Sequence, residues 1–236
     1  MTGRTAFRVF LVVVALVALA FHTLSVTGTL SSETRVLTRQ EPGVRTIEVR
    51  AGMGSVYVTA RAGTDAVALR QTQRWWQGRP RFSVRRAGSL LVVASSCPNA
   101  LGRPCEGRLD LTVPPGTELD IRTDDGAVHL DGLSGGIRVR SGDGVIDAER
   151  LRGADVDLVA GDADVTAVFT TAPRRIRATA ADAAVRVLVP RDGRAWRVEG
   201  TTGDAPRDIE IAQDPAAGRT ITADTADGPV RITYAE

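Results

Sequence analysis

The sequence predicts an all-β fold: a β-solenoid-like stack of strand-turn-strand repeats behind an N-terminal transmembrane helix. The first observation is a short aspartate-containing turn that recurs every 18–23 residues between positions 125 and 227, a period typical of repeat architectures. The second is the alternation of apolar and polar residues on both sides of each turn, which indicates strands with one buried face. The third is a long apolar segment near the N-terminus.

The apolar segment, residues 9–26 (VFLVVVALVALAFHTLSV), has 18 residues and no formal charge when its histidine is neutral. That length is near the lower limit for a helix that crosses the hydrocarbon core of a bilayer. Arg4 and Arg8 precede the segment, so we expect residues 1–8 in the cytoplasm and the rest of the chain outside. A cleaved signal peptide is the alternative, because Ala18-Leu19-Ala20 has the small-x-small form of a cleavage site.

Beyond the apolar segment, the chain divides into a spacer and one exported domain. Residues 27–43 are rich in Ser, Thr and Glu, a composition that favours a spacer. Residues 44–236 are long enough for a sizeable core, which must consist of Val, Ile, Leu and Ala because aromatic residues make up only 4% of the chain. We therefore expect a single-pass cell-membrane protein whose C-terminal domain is extracytoplasmic.

The two cysteines, Cys97 and Cys105, flank the short loop CPNALGRPC. In an oxidising compartment such a pair is typical of a disulfide that closes the loop. A zinc site needs more ligands than two thiolates, and neither a histidine nor a third cysteine lies nearby. The sequence therefore predicts a disulfide between Cys97 and Cys105.

Each repeat places one aspartate in a turn between two strands. The turns are TDDGAV, SGDGVI, AGDADV, AADAAV, a longer TTGDAP and TADGPV, and their aspartates are Asp125, Asp143, Asp162, Asp182, Asp204 and Asp227. Glycine suits a turn because it accepts positive φ angles, and an aspartate side chain can bond the local backbone. The glycine pattern of calcium-binding β-rolls is absent, so we expect structural turns that bind neither a metal nor a cofactor. An earlier copy, AGMGS, carries Met53 in place of the aspartate.

Residues 61–118 depart from the repeat, and their candidate strands are Val67–Arg74, Arg81–Arg85, Leu90–Ser95 and Arg108–Val113. One hypothesis for the arginine-rich part is a surface-binding patch for an anionic polymer or a lipid surface. Its residues would be Arg70, Arg74, Trp75, Trp76, Arg79, Arg81, Arg85 and Arg86. The other hypothesis is a hairpin with a long loop, in which the arginines lie along the tryptophans and keep a strand edge from aggregating.

In these motifs the chain resembles the bacterial putative-adhesin family of β-strand-repeat proteins, formerly catalogued as a domain of unknown function. The resemblance covers roughly residues 44–234 and is carried by three stretches: RTIEVRAGMGSVYV, LDLTVPPGTELDIRTDDGAVHLDGLSGGIRVRSGDGVIDAERLRGADVDLVAGDADV and ITADTADGPVRITY. It implies a β-repeat fold, often behind an N-terminal membrane anchor. It implies no catalytic residues.

The distribution of reactive side chains favours a non-catalytic role. Polysaccharide hydrolysis needs a carboxylate pair at a set separation, or a base beside a metal, whereas these carboxylates recur once per turn. His22 lies in the apolar segment, and His129 lies at an outward strand position. We expect a structural, adhesion or interaction role, with an envelope polymer or another surface protein as partner and no nucleic acid. The alternatives are a secreted soluble form of the same domain and, less favoured, an envelope-polysaccharide enzyme.

Overall fold

The computed structural model describes residues 33–52, 54–75, 80–96, 105–153 and 155–235, without the side chain of Cys105. Every regular element in these ranges is a β-strand, so the prediction of an all-β fold is confirmed. The described ranges contain no helix long and apolar enough to span a membrane. The apolar segment at residues 9–26 lies outside them.

Nineteen strands follow one another along the described chain. They are β1 (Glu33–Pro42), β2 (Thr46–Ala51), β3 (Ser55–Ala60), β4 (Ala66–Trp75), β5 (Arg81–Ala87), β6 (Leu90–Ser96), β7 (Cys105–Val113), β8 (Glu118–Thr123), β9 (Val128–Asp131), β10 (Ile137–Ser141), β11 (Ile146–Leu151), β12 (Asp155–Ala160), β13 (Val165–Phe169), β14 (Arg175–Thr179), β15 (Val185–Val189), β16 (Arg197–Glu199), β17 (Arg207–Ile209), β18 (Thr220–Asp224) and β19 (Val230–Tyr234).

The strands form two sheets that enclose one core. The ten-stranded sheet has the order β1-β4-β7-β3-β9-β11-β13-β15-β19-β17, and the nine-stranded sheet has the order β16-β18-β14-β12-β10-β8-β2-β6-β5. Three neighbouring pairs near the N-terminus, β1–β4, β4–β7 and β5–β6, are antiparallel. Both sheets are therefore mixed, whereas the repeat pattern predicted a uniform stack.

Each repeat contributes one strand to each sheet, and we call such a pair of strands a layer. In the repeat that contains Asp143, β10 belongs to the nine-stranded sheet and β11 to the ten-stranded sheet. Neighbouring repeat layers are parallel and in register, since Ile137 on β10 lies opposite Leu119 on β8 and Val156 on β12. The interval of 18–23 residues between turns is therefore the length of chain in one layer.

The inward-facing residues of the strands form the core between the two sheets. Burial alternates along each strand, as in β10, where Arg138 and Arg140 are exposed and the other three residues are buried. Aliphatic side chains fill most of the core, and Phe169 and Trp196 are its largest fully buried members. Each fully buried Val, Leu or Ile contributes roughly 1.5–3 kcal/mol of transfer free energy, so the stability of the fold depends on stacking many layers.

The order of the layers in space differs from their order in the chain at both ends. The layer β2–β3 lies between β8–β9 and β6–β7, and the antiparallel strands β4 and β5 cover β6–β7. At the other end, β18–β19 is inserted between β14–β15 and β16–β17. A terminal layer would otherwise expose an apolar face and unpaired backbone groups, so atypical strands at both ends act as caps.

The irregular segment 61–118 supplies the N-terminal cap. Its four predicted strands are present as β4, β5, β6 and β7, with ends within three residues of the expected ones. Strands β6 and β7 form one more layer, and residues 97–104 of the sequence CPNALGRPC connect them. The repeat pattern does not reveal this layer, because its connection lacks the aspartate turn.

Part of the predicted spacer belongs to the folded domain. Residues 33–42 form the edge strand β1, which pairs with β4 along its whole length, from Glu33 opposite Trp75 to Pro42 opposite Ala66. Arg39 lies opposite the buried Leu69, so the core-side face of β1 carries charge. Charged side chains at that position discourage further strands from pairing with the edge.

Glycine recurs at the corners because neighbouring layers approach too closely for a side chain. A Cβ atom on Gly126 would lie 1.9 Å from the carbonyl oxygen of Gly54, and a Cβ atom on Gly144 would lie 2.2 Å from that of Gly126. Gly54 has a φ of 105°, but neither Gly126 nor Gly144 is among the residues with positive φ. For Gly126 and Gly144 the expectation of a positive φ is therefore wrong, and close backbone approach is the reason for glycine there, whereas Gly203 in the turn TTGDAP does have a positive φ of 53°.

We predict that Gly126→Ala lowers the free energy of unfolding by about 1–3 kcal/mol or more, because the added methyl group overlaps a backbone carbonyl of the next layer. Gly136→Ala is the matched control, since a Cβ atom there meets nothing within 4 Å. We expect the control to change stability by no more than about 0.5 kcal/mol. Chemical denaturation measures both variants, and equal stabilities would contradict the close-approach argument.

A buried tryptophan and an ion pair close the C-terminal cap. Trp196 is fully buried, and the guanidinium carbon of Arg219 lies 4.1 Å from its ring centroid. The two terminal nitrogens of Arg219 donate hydrogen bonds of 2.5 and 2.7 Å to the Asp192 carboxylate. These bonds lower the pKa of Asp192 from 3.8 to about 2. The pair joins the loop before β16 to the start of β18.

We predict that Asp192→Asn lowers the melting temperature at neutral pH by about 2–4 °C, which corresponds to about 1 kcal/mol in a chain of this length and to the upper range for exposed pairs. The folded pKa lies below the unfolded one, so the stabilisation is complete above about pH 4 and disappears as the pH falls towards 2. The difference in melting temperature between the parent and Asp192→Asn should therefore become smaller as the pH falls from about 4 to 2.

The matched control for this measurement is Asp155→Asn. Asp155 also pairs with an arginine, Arg174, at 3.1 Å, but the Arg174 side chain is 76% exposed. We expect a smaller effect on the melting temperature than for Asp192→Asn, because the pair is screened by solvent. If the melting temperatures of the parent and Asp192→Asn differ by the same amount at pH 4 and pH 2, the proposed role of the ion pair is contradicted.

Candidate binding face

The six turn aspartates follow one corner of the stack, where the chain passes from the nine-stranded to the ten-stranded sheet. All six are exposed: Asp125, Asp143, Asp162, Asp182, Asp204 and Asp227. Their carboxylates make no hydrogen bond or ion pair with any described residue, so the expected bonds to the local backbone are not formed. Within the described ranges, no group of three or more His, Cys, Asp or Glu side chains is placed to hold a metal ion.

Small hydroxyl side chains two positions before the aspartates hold the corner together from inside. Ser141 is buried, and its hydroxyl oxygen accepts a 3.1 Å hydrogen bond from the amide of Gly144 and lies 3.1 Å from the hydroxyl of Thr123. Thr225 accepts the equivalent 2.9 Å bond from the amide of Gly228. Sequence reasoning did not predict this role, although Ser, Thr or Ala occupies this position in every turn.

We predict that Ser141→Ala lowers the free energy of unfolding by about 1–3 kcal/mol, because the buried amide of Gly144 is then without an acceptor. Asp143→Ala should change it by no more than about 0.5 kcal/mol, since the carboxylate is exposed and unpaired. Denaturation of both variants, with melts in calcium and in chelator, is the measurement. A larger effect for Asp143→Ala, or a calcium-raised melting temperature in the parent alone, would assign the aspartate a ligand role.

The predicted disulfide remains a prediction. Cys97 lies outside the described residues, and Cys105 is described only as the first residue of β7.

The arginine-rich segment is divided between the two sheets. Arg70 and Arg74 are exposed on β4 in the ten-stranded sheet, whereas Arg81 and Arg85 are exposed on β5 in the nine-stranded sheet. Because the outer faces of the two sheets point in opposite directions, these four arginines do not form one patch. Strands β4 and β5 also do not pair with each other, so the predicted hairpin is wrong. Among the other patch residues, Trp75 is buried, Arg86 lies 3.5 Å from Glu41 on β1, and Trp76 and Arg79 lie outside the described residues.

The outer face of the nine-stranded sheet carries charged side chains in rows that cross the strands. Because neighbouring strands lie about 4.8 Å apart, residues in register on successive layers come close together. One row contains Glu48, Asp120, Arg138, Asp157 and Arg177, and the next row contains Arg50, Arg122 and Arg140. Acidic and basic residues that are about twenty positions apart in the chain are therefore direct neighbours.

Ion pairs form within the first row and between the two rows. Arg138 lies between carboxylates of the two neighbouring layers, 4.0 Å from Asp120 and 3.8 Å from Asp157. Arg122 is 3.4 Å from Asp120, and Arg140 is 3.1 Å from Asp157. The side chains of Arg122, Arg138 and Arg140 are 45–57% exposed, so each pair adds little stability. The guanidinium groups keep donors that face solvent.

Two grooves interrupt this face. The first, about 510 Å³, lies beside Gly136 and is lined by three arginines and four carboxylates, namely Arg138, Arg175, Arg177, Glu118, Asp120, Asp155 and Asp157. The second, about 560 Å³, lies across β5, β6, β2 and β8. Its charged lining consists of Arg50, Arg81, Arg122 and Asp124, so the two grooves differ in the sign of their charge.

The outer face of the ten-stranded sheet carries an aromatic row. Tyr57 and His129 stack with ring centroids 4.6 Å apart, and the guanidinium carbon of Arg108 lies 3.8 Å from the Tyr57 ring. His129 Nδ1 lies 3.7 Å from Asp147. The side chains of this row contact one another, and both faces of the Tyr57 ring are covered.

No protein-family model and no curated protein matches the chain. Among solved structures it is similar to a putative cell adhesion protein from Clostridium sporogenes ATCC 15579, with 12% identity and a TM-score of 0.48 over 86% of this chain and 100% of that one. A putative adhesin from Bacteroides fragilis NCTC 9343 gives 13% identity and a TM-score of 0.36, over 85% and 97% of the two chains. A putative adhesin from Parabacteroides merdae ATCC 43184 gives 9% and 0.36, over 87% and 97%. These descriptions name the class of protein that the sequence motifs resemble.

Proposed function

We propose that this protein is a membrane-anchored, extracytoplasmic interaction module: a β-solenoid-like stack that binds a partner in the cell envelope and has no catalytic activity. One observation carries the proposal, namely the in-register rows of exposed arginines and half-buried carboxylates on the outer face of the nine-stranded sheet. Such rows present similar chemical groups again and again along the stack, and the surfaces of stacked repeats suit extended partners.

The position of β1 supports an anchored domain. Strand β1 begins at Glu33, so six residues separate it from the end of the predicted membrane span at Val26. Six residues reach at most about 20 Å, whereas ten strands in one sheet extend over roughly 43 Å. The cap formed by β1, β4 and β5 is then the membrane-proximal end, and the C-terminal cap is the distal end.

The arrangement of the carboxylates supports a non-catalytic role. Asp120 and Asp157 are on strands two layers apart, and the Arg138 guanidinium group lies between them, 4.0 and 3.8 Å from their oxygens. A glycosidase needs its two carboxylates on either side of open space for a sugar and a water molecule, roughly 5–9.5 Å across. Here an arginine side chain occupies that space.

We predict that the full-length chain, reconstituted in nanodiscs of neutral lipid, sediments with lipid-extracted cell envelopes of the producing bacterium. We expect saturable binding that weakens with salt, because exposed arginines and carboxylates provide the contacts. Empty nanodiscs are the control. The supernatant is assayed in parallel for soluble fragments of the envelope polymers.

Two results would contradict this function. Absence of saturable sedimentation would contradict an envelope partner, and steady release of polymer fragments would support the enzyme alternative instead. Mature protein found in the culture medium with its N-terminus near Phe21 would support the secreted form of the domain and contradict the anchor.

A further inference from the structure

The second groove on the nine-stranded sheet has the form of a shallow trough with a floor of small residues. Ser83 on β5 lies opposite Ala94 on β6, and Ala94 lies opposite Arg50 on β2. Ser96 and Gly52 continue the floor towards the corner. Because these outward residues are small, the longer side chains on both sides stand above them, and we call this groove the arginine trough.

Arginines form both walls of the arginine trough. Arg81 lies on β5 at the sheet edge, and Arg50 and Arg122 lie in register on β2 and β8 at the other side. Asp124 is the carboxylate among the described lining residues. Three guanidinium groups therefore face one carboxylate, which makes the trough cationic.

The nearby carboxylates do not saturate these guanidinium groups. Arg50 bonds Glu48 at 2.7 Å, while Asp120 is shared between Arg122 at 3.4 Å and Arg138 at 4.0 Å. Arg138 and Arg140 likewise share Asp157. Four arginines thus share three carboxylates, and each guanidinium group has five N–H donors, of which a carboxylate uses at most two.

The register of the arginines also favours a bound anion. Arg50, Arg122 and Arg140 lie opposite one another on three adjacent strands, about 4.8 Å apart. Like charges directly opposite one another on neighbouring strands are destabilising. An oxyanion between two of these side chains replaces that repulsion with charge-assisted hydrogen bonds, for which the planar guanidinium group has the right geometry.

We propose that the arginine trough binds a linear anionic polymer of the cell envelope through the phosphate or carboxylate groups that the polymer repeats along its length. This proposal rests on the proposed interaction function and names the site and the ligand class. The groove beside Gly136 differs, because its four carboxylates outnumber its three arginines. The row of Arg50, Arg122 and Arg140 overlaps the trough at Arg50 and Arg122, and together they give a polymer a path across β5, β6, β2, β8 and β10.

The test measures binding of linear polyphosphate, polygalacturonate and neutral dextran to the full-length chain in nanodiscs of neutral lipid, over about 50–200 mM salt. The double variant Arg50→Gln/Arg122→Gln should weaken polyanion binding about tenfold or more. It should also reduce the slope of log affinity against log salt by about two, one for each arginine replaced. Neutral dextran should not bind.

Two further variants separate the site from net charge. Arg186→Gln/Arg231→Gln removes the same charge from exposed, in-register positions on β15 and β19 of the ten-stranded sheet, and we expect affinity and salt slope close to those of the parent. Ala94→Phe fills the floor of the trough without a change in charge, at a strand position that tolerates an aromatic residue, and we expect weaker binding. Melting temperatures of all variants verify folding.

Each outcome bears on the proposal. Binding of polyphosphate alone identifies a phosphate polymer as the ligand, and binding of both polyanions identifies the oxyanion as the shared feature. Equal weakening in the Arg186→Gln/Arg231→Gln control, unchanged binding in the trough variants, or no binding of either polyanion would overturn the proposal. If the trough variants still sediment with envelopes as the parent does, the interaction function stands and this site assignment fails.

Discussion

The parallel, in-register hydrogen bonding between layers is the constraint on which the rest of the structure depends. A layer of two short strands buries too little surface to be stable alone, so every layer needs the backbone of its neighbours. The corners must approach as closely as the strands do, and the amide of Asp143 donates a 2.8 Å bond to the carbonyl of Asp124 in the layer before it. This explains why Gly126 and Gly144, which have no room for a Cβ atom, occupy the corners.

The same stacking determines what the outer faces present. When layers are in register, any residue type repeated at one outward position becomes a row at the strand spacing, roughly 4.8 Å. On the nine-stranded sheet a row of carboxylates and arginines runs beside a row of arginines, and within the mixed row Arg138 lies between Asp120 and Asp157. The pairs are too exposed to contribute much stability. Their regular spacing is instead a chemical surface, and this surface underlies the proposed interaction with an extended envelope partner.

The ends of the stack show how the chain stops its own repeat. At the C-terminal end the chain forms the atypical layer β16–β17 first and then returns to form β18–β19 on its inner side. At the N-terminal end the chain forms β2–β3 first, and β6–β7 is later added on its outer side. Both β2–β3 and β18–β19 are therefore enclosed. The two caps use different means. The N-terminal cap uses antiparallel strands with a charged edge at β1, and the C-terminal cap uses Trp196 covered by Arg219, with Asp192 holding the arginine. Both leave few exposed apolar groups on which another copy of the stack can add.

The sequence by itself determined where most of the strands after residue 44 are and which of their side chains point inward, including the four strands of segment 61–118, because alternation along a strand is a local property of the backbone. Only the tertiary structure decided which strand lies beside which. It separated Arg70 from Arg81 onto opposite faces, brought Arg50 beside Arg122, and moved residues 33–42 from the predicted spacer into a sheet. Period-two alternation reveals the face of a side chain but not its neighbours, which depend on hydrogen bonds between strands that are distant in the chain.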